Sequence, residues 1–202
     1  VRPSSIYGGT KRLAEMIVLD AAHNAKRAFT VVRFGNVLGS RGSIIPIFKQ
    51  QIAQGGPITI THPDMYRFFM TIPEAVYLVL QAASMESGGE VFVLNMGQPV
   101  RILDLAEDLI RLSGLEPVRD IEVVFTGIRR GEKLTEELWE ADTPLVKTLH
   151  PDIFRLDQDA SLPTVNLLQA IDALAASTDP VMIAKILDET IPGSSIRAAP
   201  RF

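Results

Sequence analysis

The chain has 202 residues, of which 47% are hydrophobic and 22% are charged, an ordinary balance for a fold that buries a core. Its net charge of −4 excludes the basic surplus typical of nucleic-acid binders, and the absence of cysteine excludes disulfides and thiolate metal sites. The three histidines are scattered singly and no apolar run approaches the ~20 residues of a membrane helix, so we expect no metal site and no membrane segment in this chain.

Strand-like and helix-like segments alternate along the chain, which favours an α/β fold. In chain order, the patterns predict a helix over 10–27, a strand over 29–34, a helix over 45–54, a strand over 58–61, a helix over 73–85, a strand over 90–94, a helix over 102–112, a strand over 121–125 and a short helix ending at 139. Thr71 is the predicted cap of the third helix, with Pro73 in its first turn.

The pattern weakens after about residue 145. Two further helices are predicted over 162–176 and 180–191, the second with Asp179 as its cap, and the tail from Gly193 has the composition of a frayed end. We therefore expect residues 1–145 to form the core and residues 146–202 to form a helical extension.

The first candidate site is the stretch "SSIYGGTKRLAE", residues 4–15, in which a tyrosine precedes a lysine by one helical turn. Tyr7 and Lys11 then share one helix face. A nearby ammonium favours the phenolate and lowers the pKa of a tyrosine, which can then exchange a proton with a sugar hydroxyl during hydride transfer. The plain alternative is an exposed helical pair without a catalytic role.

Three further segments have their own functional and plain interpretations. They are "VVRFGNVLGSRGSIIPIF" over 31–48, "ITHPDMYRFFMTIPEAV" over 60–76 and "GIRRGEKLTEEL" over 127–138. Gly39 and Gly42 in the first could form a simple turn, since glycine permits positive φ. Arg67 in the second could be a structural ion-pair partner, although a planar guanidinium also suits a diphosphate. The glutamates of the third could form a solvated helix face.

Taken together and in this order, the four segments resemble the extended short-chain dehydrogenase/reductases. The last segment is similar to the signature G-x-R-P-G-E-K-L-x-E of the branch that contains UDP-N-acetylglucosamine 4,6-dehydratases and CapD-like polysaccharide biosynthesis proteins, except that Arg130 replaces the proline. The resemblance covers residues 1 to about 140. It implies the C-terminal part of an extended Rossmann fold that binds NAD(P), together with the substrate-binding subdomain.

The same resemblance implies roles for individual residues. Tyr7 would be the catalytic tyrosine, and Lys11 would lower its pKa and hold the nicotinamide ribose. Substrate-binding roles would fall to Asn36, Ser43, Arg67, Arg129 and Glu132. Within that set, Asn36 would contact the sugar or the diphosphate and Ser43 would line the nucleotide pocket. The two arginines would bind the diphosphate and the uridine end, and the glutamate would accept from the ribose hydroxyls.

No glycine-rich G-x-G-x-x-G motif follows a strand in this sequence, although that motif seats the cofactor pyrophosphate in Rossmann folds. We expect the cofactor half, and the Asp-Lys pair that performs the elimination in the resembled enzymes, to lie upstream of Val1. The whole protein would then dehydrate a UDP-N-acetylhexosamine with NAD(P), and this chain alone would be inactive.

Other functions stay open on the sequence. A UDP-sugar 4-epimerase would use the same tyrosine without elimination, a nucleotide-sugar-binding module would need no turnover, and a plain α/β domain could carry the motifs by chance. We expect a UDP-sugar as the partner and no nucleic acid, and the sequence leaves a homo-oligomer open. The chemistry would take place in the cytoplasm, with any membrane anchor of the parent lying upstream.

Overall fold

The computed structural model describes residues 1–40, 42–85, 88–157 and 166–196. These residues form six helices: α1 (Ile6–Ala25), α2 (Ile44–Ala53), α3 (Ile72–Ser84), α4 (Ile102–Leu112), α5 (Leu167–Ala176) and α6 (Pro180–Thr190). They form ten strands: β1 (Val31–Arg33), β2 (Asn36–Val37), β3 (Ile58–Ile60), β4 (Tyr66–Arg67), β5 (Phe69–Met70), β6 (Val91–Leu94), β7 (Val100–Arg101), β8 (Val123–Phe125), β9 (Leu145–Lys147) and β10 (Ile153–Leu156). None of the described helices is both long and apolar enough to cross a membrane.

The main sheet has the order β1-β6-β10-β9. Strands β1 and β6 run parallel, and β10 and β9 continue the sheet in antiparallel pairs. Because side chains alternate along a strand, β6 serves two cores. Phe92 and Leu94 pack with the inner face of α3, whereas Val91 and Val93 lie in a cluster that includes Leu19 of α1. The helices α1 and α3 therefore cover opposite faces of the sheet.

A second lobe is built around α2, α4 and the parallel pair β3–β8. Its buried side chains come from α2, β3, α4 and the adjoining loops: Phe48, Ile52, Ile58, Ile60, Met65, Ile102, Ala106, Ile110 and Ile121. The short pairs β2–β5 and β4–β7 form two separate two-stranded sheets, and β4 carries Arg67.

Local sequence signals determine the helix ends. Thr71 and Glu74 form a reciprocal capping box at the start of α3, as the predicted cap requires. The bounds of α4 coincide with the predicted helix over 102–112. Helix α1 begins four residues before the predicted start, because the Ser5 hydroxyl accepts a hydrogen bond from the Gly8 amide and caps it there.

The prediction of a short helix ending at Trp139 is wrong. The Tyr66 amide donates to the Leu134 carbonyl, and Tyr66 forms a parallel bridge with Thr135. The segment is therefore extended beside β4, and its backbone hydrogen bonds go across the chain rather than along a helix.

The prediction that residues beyond 145 are helical is also wrong for the stretch up to 156. Strands β9 and β10 lie there and complete the main sheet. Helices appear only from α5 onward, while positions 162–165 of the predicted helix lie outside the described residues. Helix α6 and its Asp179 cap confirm the predicted helix over 180–191 to within one residue. A domain boundary near residue 145 stays a prediction.

The C-terminal segment packs on α1. Leu187 and Ile191 share a buried cluster with Leu13 and Met16 of α1. Ile196 is only 6% exposed, and the neighbouring Ser195 amide donates to the Pro3 carbonyl. The predicted frayed tail is therefore wrong for residues 193–196, whereas residues 197–202 lie outside the described part of the chain.

The Asp188 carboxylate anchors this tail. It accepts hydrogen bonds from the Ser194 hydroxyl at 2.7 Å and the Ile196 amide at 2.9 Å, and these bonds hold its pKa below the ordinary value. Because a depressed pKa stabilises the fold above the unfolded-state pKa, this contribution is present at neutral pH and is lost as the pH falls through the folded pKa.

We predict that Asp188→Ala lowers the melting temperature at pH 7, because it removes the Oδ1 atom that accepts both hydrogen bonds. The difference from wild type should shrink in acid, where the carboxyl of the wild type is protonated. Thermal unfolding followed by circular dichroism at several pH values measures this. The control is Glu189→Ala, which removes an exposed carboxylate of α6 whose ion pair with Lys185 spans 3.8 Å. An equal loss in the two variants would contradict the prediction.

Candidate active site

A cavity of ≈ 910 Å³ opens between α1, β1 and the segment 129–138. Tyr7, Lys11, Arg67, Arg129 and Glu132 all line it. Five of the seven residues proposed from the sequence thus meet at one place, although they come from positions up to 125 residues apart in the chain.

The other two lie elsewhere. Asn36 begins β2, where its backbone N–H donates to the Phe68 carbonyl. It follows Gly35, which lines the cavity. Ser43 is the N-cap residue of α2, and its hydroxyl is buried without a hydrogen-bond partner among the described residues. Gly39 and Gly42 beside it have positive φ, as a turn requires. Substrate-binding roles for Asn36 and Ser43 stay predictions.

Tyr7 and Lys11 share a face of α1, as their spacing predicts. The Lys11 ammonium lies 4.5 Å from the centroid of the Tyr7 ring, within cation–π range. The Tyr7 side chain is 71% exposed and lines the cavity. The phenol is therefore accessible to a ligand, and a positive charge is held against its ring.

A buried charge network holds this helix to the sheet. The Glu15 carboxylate of α1 accepts from Arg33 of β1, with Nε to Oε2 at 2.8 Å, and also pairs with Arg12. Arg33 Nη1 in addition donates to the Leu138 carbonyl at 3.2 Å. Glu15 and Arg33 side chains are 8% and 12% exposed. One carboxylate and one guanidinium thus join the three walls of the cavity.

Burial lowers the pKa of Arg33 and of Arg12 from the ordinary arginine value, because each charge is partly removed from water. Both groups are nevertheless cations at any physiological pH, since the ordinary arginine value lies so far above neutrality. The Glu15 carboxylate contacts both guanidinium groups, and the charge of Glu140 also raises the pKa of each, so these two carboxylates permit the burial.

The Arg67 side chain is held by residues 132–136, which lie beside β4. Its Nη1 donates to the carbonyls of Tyr66 at 2.7 Å and Leu134 at 3.0 Å. Its Nη2 lies 3.7 Å from Glu132 and its Nε lies 3.4 Å from Glu136. The guanidinium is thus surrounded by protein acceptors, as the structural alternative for this residue requires. A diphosphate contact would have to replace one of these partners.

Residues 129–132 form a tight turn. The Glu132 amide donates to the Arg129 carbonyl at 2.9 Å, and Gly131 at the third position has φ +77. A positive φ at that position is typical of a type II turn. A side chain on Gly131 would meet the Ser4 carbonyl at 2.5 Å, so the glycine is required by both the backbone angle and the close approach.

Glu132 organises this turn with its side chain. One carboxylate oxygen accepts from the Arg129 amide at 3.0 Å, and the other accepts from the Thr61 hydroxyl at 3.1 Å. The Ser4 hydroxyl donates to the Gly131 carbonyl at 2.8 Å and ties the turn to the start of α1. Glu132 therefore has a structural role in this conformation, whatever ligand contact it makes.

The cavity is electropositive in a chain whose net charge is −4. Eight lysine or arginine residues line it, against four glutamates. A cleft with one dominant sign of charge attracts ligands of the opposite sign. The cavity is therefore suited to an anionic ligand.

Sequence reasoning missed Glu15, Arg33 and Ser4. A signal for the first two was present, because Arg33 interrupts an apolar strand and a charge in a buried strand requires a partner. The partner itself could not be identified, since the pairing spans 18 residues between a helix and a strand. Ser4 carries no signal that points to the turn at 129–132.

Comparison with known proteins shows the family of the chain. The family model described as polysaccharide biosynthesis protein matches residues 1–158. The chain is 54% identical over 165 residues to the capsular polysaccharide biosynthesis protein CapD of Staphylococcus aureus. The chain therefore belongs to the polysaccharide biosynthesis protein family, as the resemblance implied. That alignment covers 81% of this chain and 27% of CapD, so the chain spans about a quarter of the relative's length.

Relatives whose names state an enzyme activity have a lower sequence identity to this chain. The UDP-N-acetylglucosamine 4,6-dehydratase (inverting) of Campylobacter jejuni is 36% identical over 144 residues, which cover 69% of this chain and 40% of that protein. UDP-glucose 4-epimerases of Rickettsia species also match, at 33–35% identity.

Solved structures confirm the fold. The structure of Pen from Bacillus thuringiensis superposes with a TM-score of 0.68 at 37% identity, covering 77% of this chain and 49% of that chain. Dehydratases and epimerases of nucleotide sugars below 25% identity share the fold as well. The chain thus has the fold of the C-terminal part of an extended short-chain dehydrogenase/reductase.

We predict that Glu15→Gln destabilises the chain by about 3–5 kcal/mol, because two partly buried guanidinium groups lose their counter-charge. Urea unfolding of the variant and the wild type measures the difference. Glu107→Gln is the control, since Glu107 pairs with Arg111 along α4, away from the network, and such surface pairs contribute at most about 1 kcal/mol. A Glu15 variant as stable as this control would show that the network has no structural role.

Proposed function

We propose that this chain is the substrate-binding and acid–base part of a nucleotide-sugar 4,6-dehydratase for surface polysaccharide biosynthesis. The observation that carries the proposal is the electropositive cavity in which Tyr7, Lys11 and Arg129 lie together. The substrate would be a UDP-N-acetylhexosamine, whose diphosphate supplies the negative charge that the cavity favours. The family relatives named for capsular polysaccharide and for dehydration of UDP-N-acetylglucosamine support it.

The residues present fit one edge of an NAD(P) site. The Tyr7 hydroxyl is accessible from the cavity, and Lys11 has three donors at the same face for the hydroxyls of a nicotinamide ribose. NAD(P), when bound, would supply the hydride acceptor and donor for a transient oxidation at C4 of the sugar. Residues that bind the pyrophosphate would come from a cofactor half upstream of this chain.

In the proposed mechanism Tyr7 removes the proton of the C4 hydroxyl as that carbon is oxidised. The Lys11 charge against the ring attracts the negative phenolate. A ketone at C4 acidifies the proton at C5, which permits loss of water across C5 and C6. That elimination would use an Asp-Lys pair upstream of this chain. Addition at C6 of the hydride first removed from C4, with a proton returned to C5, would then leave a 4-keto-6-deoxy sugar.

Substrate binding falls chiefly to the segment 127–138. Arg129 lines the cavity and is exposed, so its guanidinium can make a bidentate contact with phosphate. Arg67 adds its charge from a position where protein oxygens already surround it. Nucleotide sugars and reduced cofactors are cytoplasmic, so we place the chemistry in the cytoplasm. Homo-oligomerisation stays a prediction.

The second candidate is a UDP-sugar 4-epimerase, which the similarity to the Rickettsia epimerases favours. Tyr7 would serve the same proton transfer at C4, and no water would be lost. An acid–base pair for elimination in the cofactor half would distinguish the dehydratase from the epimerase. If the chain belongs to a nucleotide-sugar-binding module, the whole protein should bind the UDP-sugar without converting it. Measurement of turnover by the whole protein distinguishes this function from both enzymes.

We predict that the 202-residue chain binds UDP and binds NAD weakly or not at all, because it contains the substrate side of the cavity. Arg129→Gln should weaken UDP about tenfold through loss of a charge-assisted contact. Isothermal titration calorimetry measures both. Arg27→Gln is the matched control, since Arg27 is exposed and does not line the cavity. Tight NAD binding, or dehydration of UDP-N-acetylglucosamine by this chain alone, would contradict the proposal.

For catalysis we predict that Tyr7→Phe lowers turnover by about 10²-fold or more in a form of the protein that includes the cofactor half, because general acid–base groups contribute at least that much. UDP affinity should not change, since the ring remains. Tyr77→Phe is the control, because Tyr77 is an exposed residue of α3 that does not line the cavity. Product formation is followed by mass spectrometry, and full activity of the Tyr7 variant would exclude its catalytic role.

A further inference from the structure

Most cations of the cavity are already paired within the protein. Arg12 and Arg33 share the Glu15 carboxylate. Arg67 contacts Glu132 and Glu136. Lys133 pairs with Glu137 at 3.2 Å, and Arg2 pairs with Glu140 at 3.1 Å. These side chains already have carboxylate partners, so a ligand would have to compete for them. The lining cations without a carboxylate partner among the described residues are Lys11, which lies against the Tyr7 ring, Arg129 and Arg130.

Arg129 and Arg130 differ from those residues. Both line the cavity and both are exposed. Neither guanidinium has a hydrogen bond or an ion pair with any of the described residues. Two consecutive arginines without a partner among the described residues thus line the same cavity as Tyr7, and an anion bound between like charges is attracted by both.

The turn explains how Arg130 can be placed there. It occupies the second position of the turn that the Glu132 amide and the Arg129 carbonyl close. Proline is favoured at that position, but any residue that reaches the required φ is accepted. The Arg130 amide makes no backbone hydrogen bond in the turn, so the position does not depend on the backbone donor. The side chain at 130 is thus free to serve a ligand.

We propose that Arg130 is a diphosphate-binding residue that acts with Arg129 as a pair on the anionic group of the nucleotide sugar. The proposal rests on the proposed function for the nature of the ligand, and on the turn geometry for the residue. Arg129 has its backbone fixed by the Glu132 carboxylate, and Arg130 is one residue further along the same turn. Both side chains line the same cavity, so an anion bound there has both arginines available to it.

A structural role for Arg130 has no support among its contacts. It makes no ion pair that holds the turn, whereas Glu132, Ser4 and Gly131 hold it through backbone and carboxylate contacts. Replacing Arg130 should therefore leave the turn intact. Proline in particular should keep or raise the stability, because it restricts the unfolded chain at a compatible position.

The test compares the wild-type chain with Arg130→Pro, Arg130→Gln and Arg130→Lys, and uses Arg27→Gln as the control for loss of one exposed arginine. Calorimetry measures the binding of UDP, inorganic pyrophosphate and uridine to each. We expect Arg130→Pro and Arg130→Gln to bind UDP and pyrophosphate about tenfold more weakly, since each loses a charge-assisted contact. Arg130→Lys should lie between them and wild type, and the loss should diminish as salt rises.

Thermal unfolding accompanies the titrations. An unchanged or higher melting temperature for Arg130→Pro excludes misfolding as the cause of weaker binding. Equal UDP affinity in wild type and both neutral variants overturns the role of Arg130 and leaves the proposed function standing. Arg130-dependent binding of pyrophosphate with no gain from the uridine moiety supports the anion site and overturns the nucleotide-sugar assignment. A wild-type chain that binds none of the three ligands overturns both.

Discussion

The contact between Glu15 and Arg33 is the interaction on which the rest of the site depends. It joins α1 to β1, and through the Leu138 carbonyl it also joins both to the segment that carries Arg129. A buried charge pair stabilises little relative to an apolar contact, but it tolerates only the arrangement in which both charges are satisfied. The pair therefore specifies the position of the Tyr7 helix relative to the opposite wall of the cavity.

The distribution of partners among the arginines divides the cavity into a structural part and a ligand-binding part. Arg33 and Arg67 are enclosed by carboxylates and carbonyls and act as joints between segments. Arg129 and Arg130 are exposed on a turn whose shape is maintained by other groups. This division follows from charge pairing, since a guanidinium with a satisfied hydrogen-bond fork has less to gain from a phosphate.

The C-terminal helix α6 supports the helix that carries Tyr7 and Lys11. Helix α6 and residues 193–196 pack on α1, where Gly9 permits the close approach of Leu187 and Ile196. The Ser195 amide meets the Pro3 carbonyl just before the helix cap at Ser5. The family match ends at residue 158, so this support lies beyond the part of the chain that the family model covers.

The sequence by itself determined the α/β class, the bounds of α4, the Thr71 cap of α3 and the family resemblance, because each depends on residues within one helix, strand or motif. Tertiary structure decided the rest. Residues 132–139 are not helical, because the Leu134 carbonyl accepts from the Tyr66 amide of β4. Strand β10 forms on the edge that β6 offers, and β9 forms on the edge of β10. The partners of Arg33 and Arg67 were likewise beyond the sequence, since contacts between distant segments leave no local pattern.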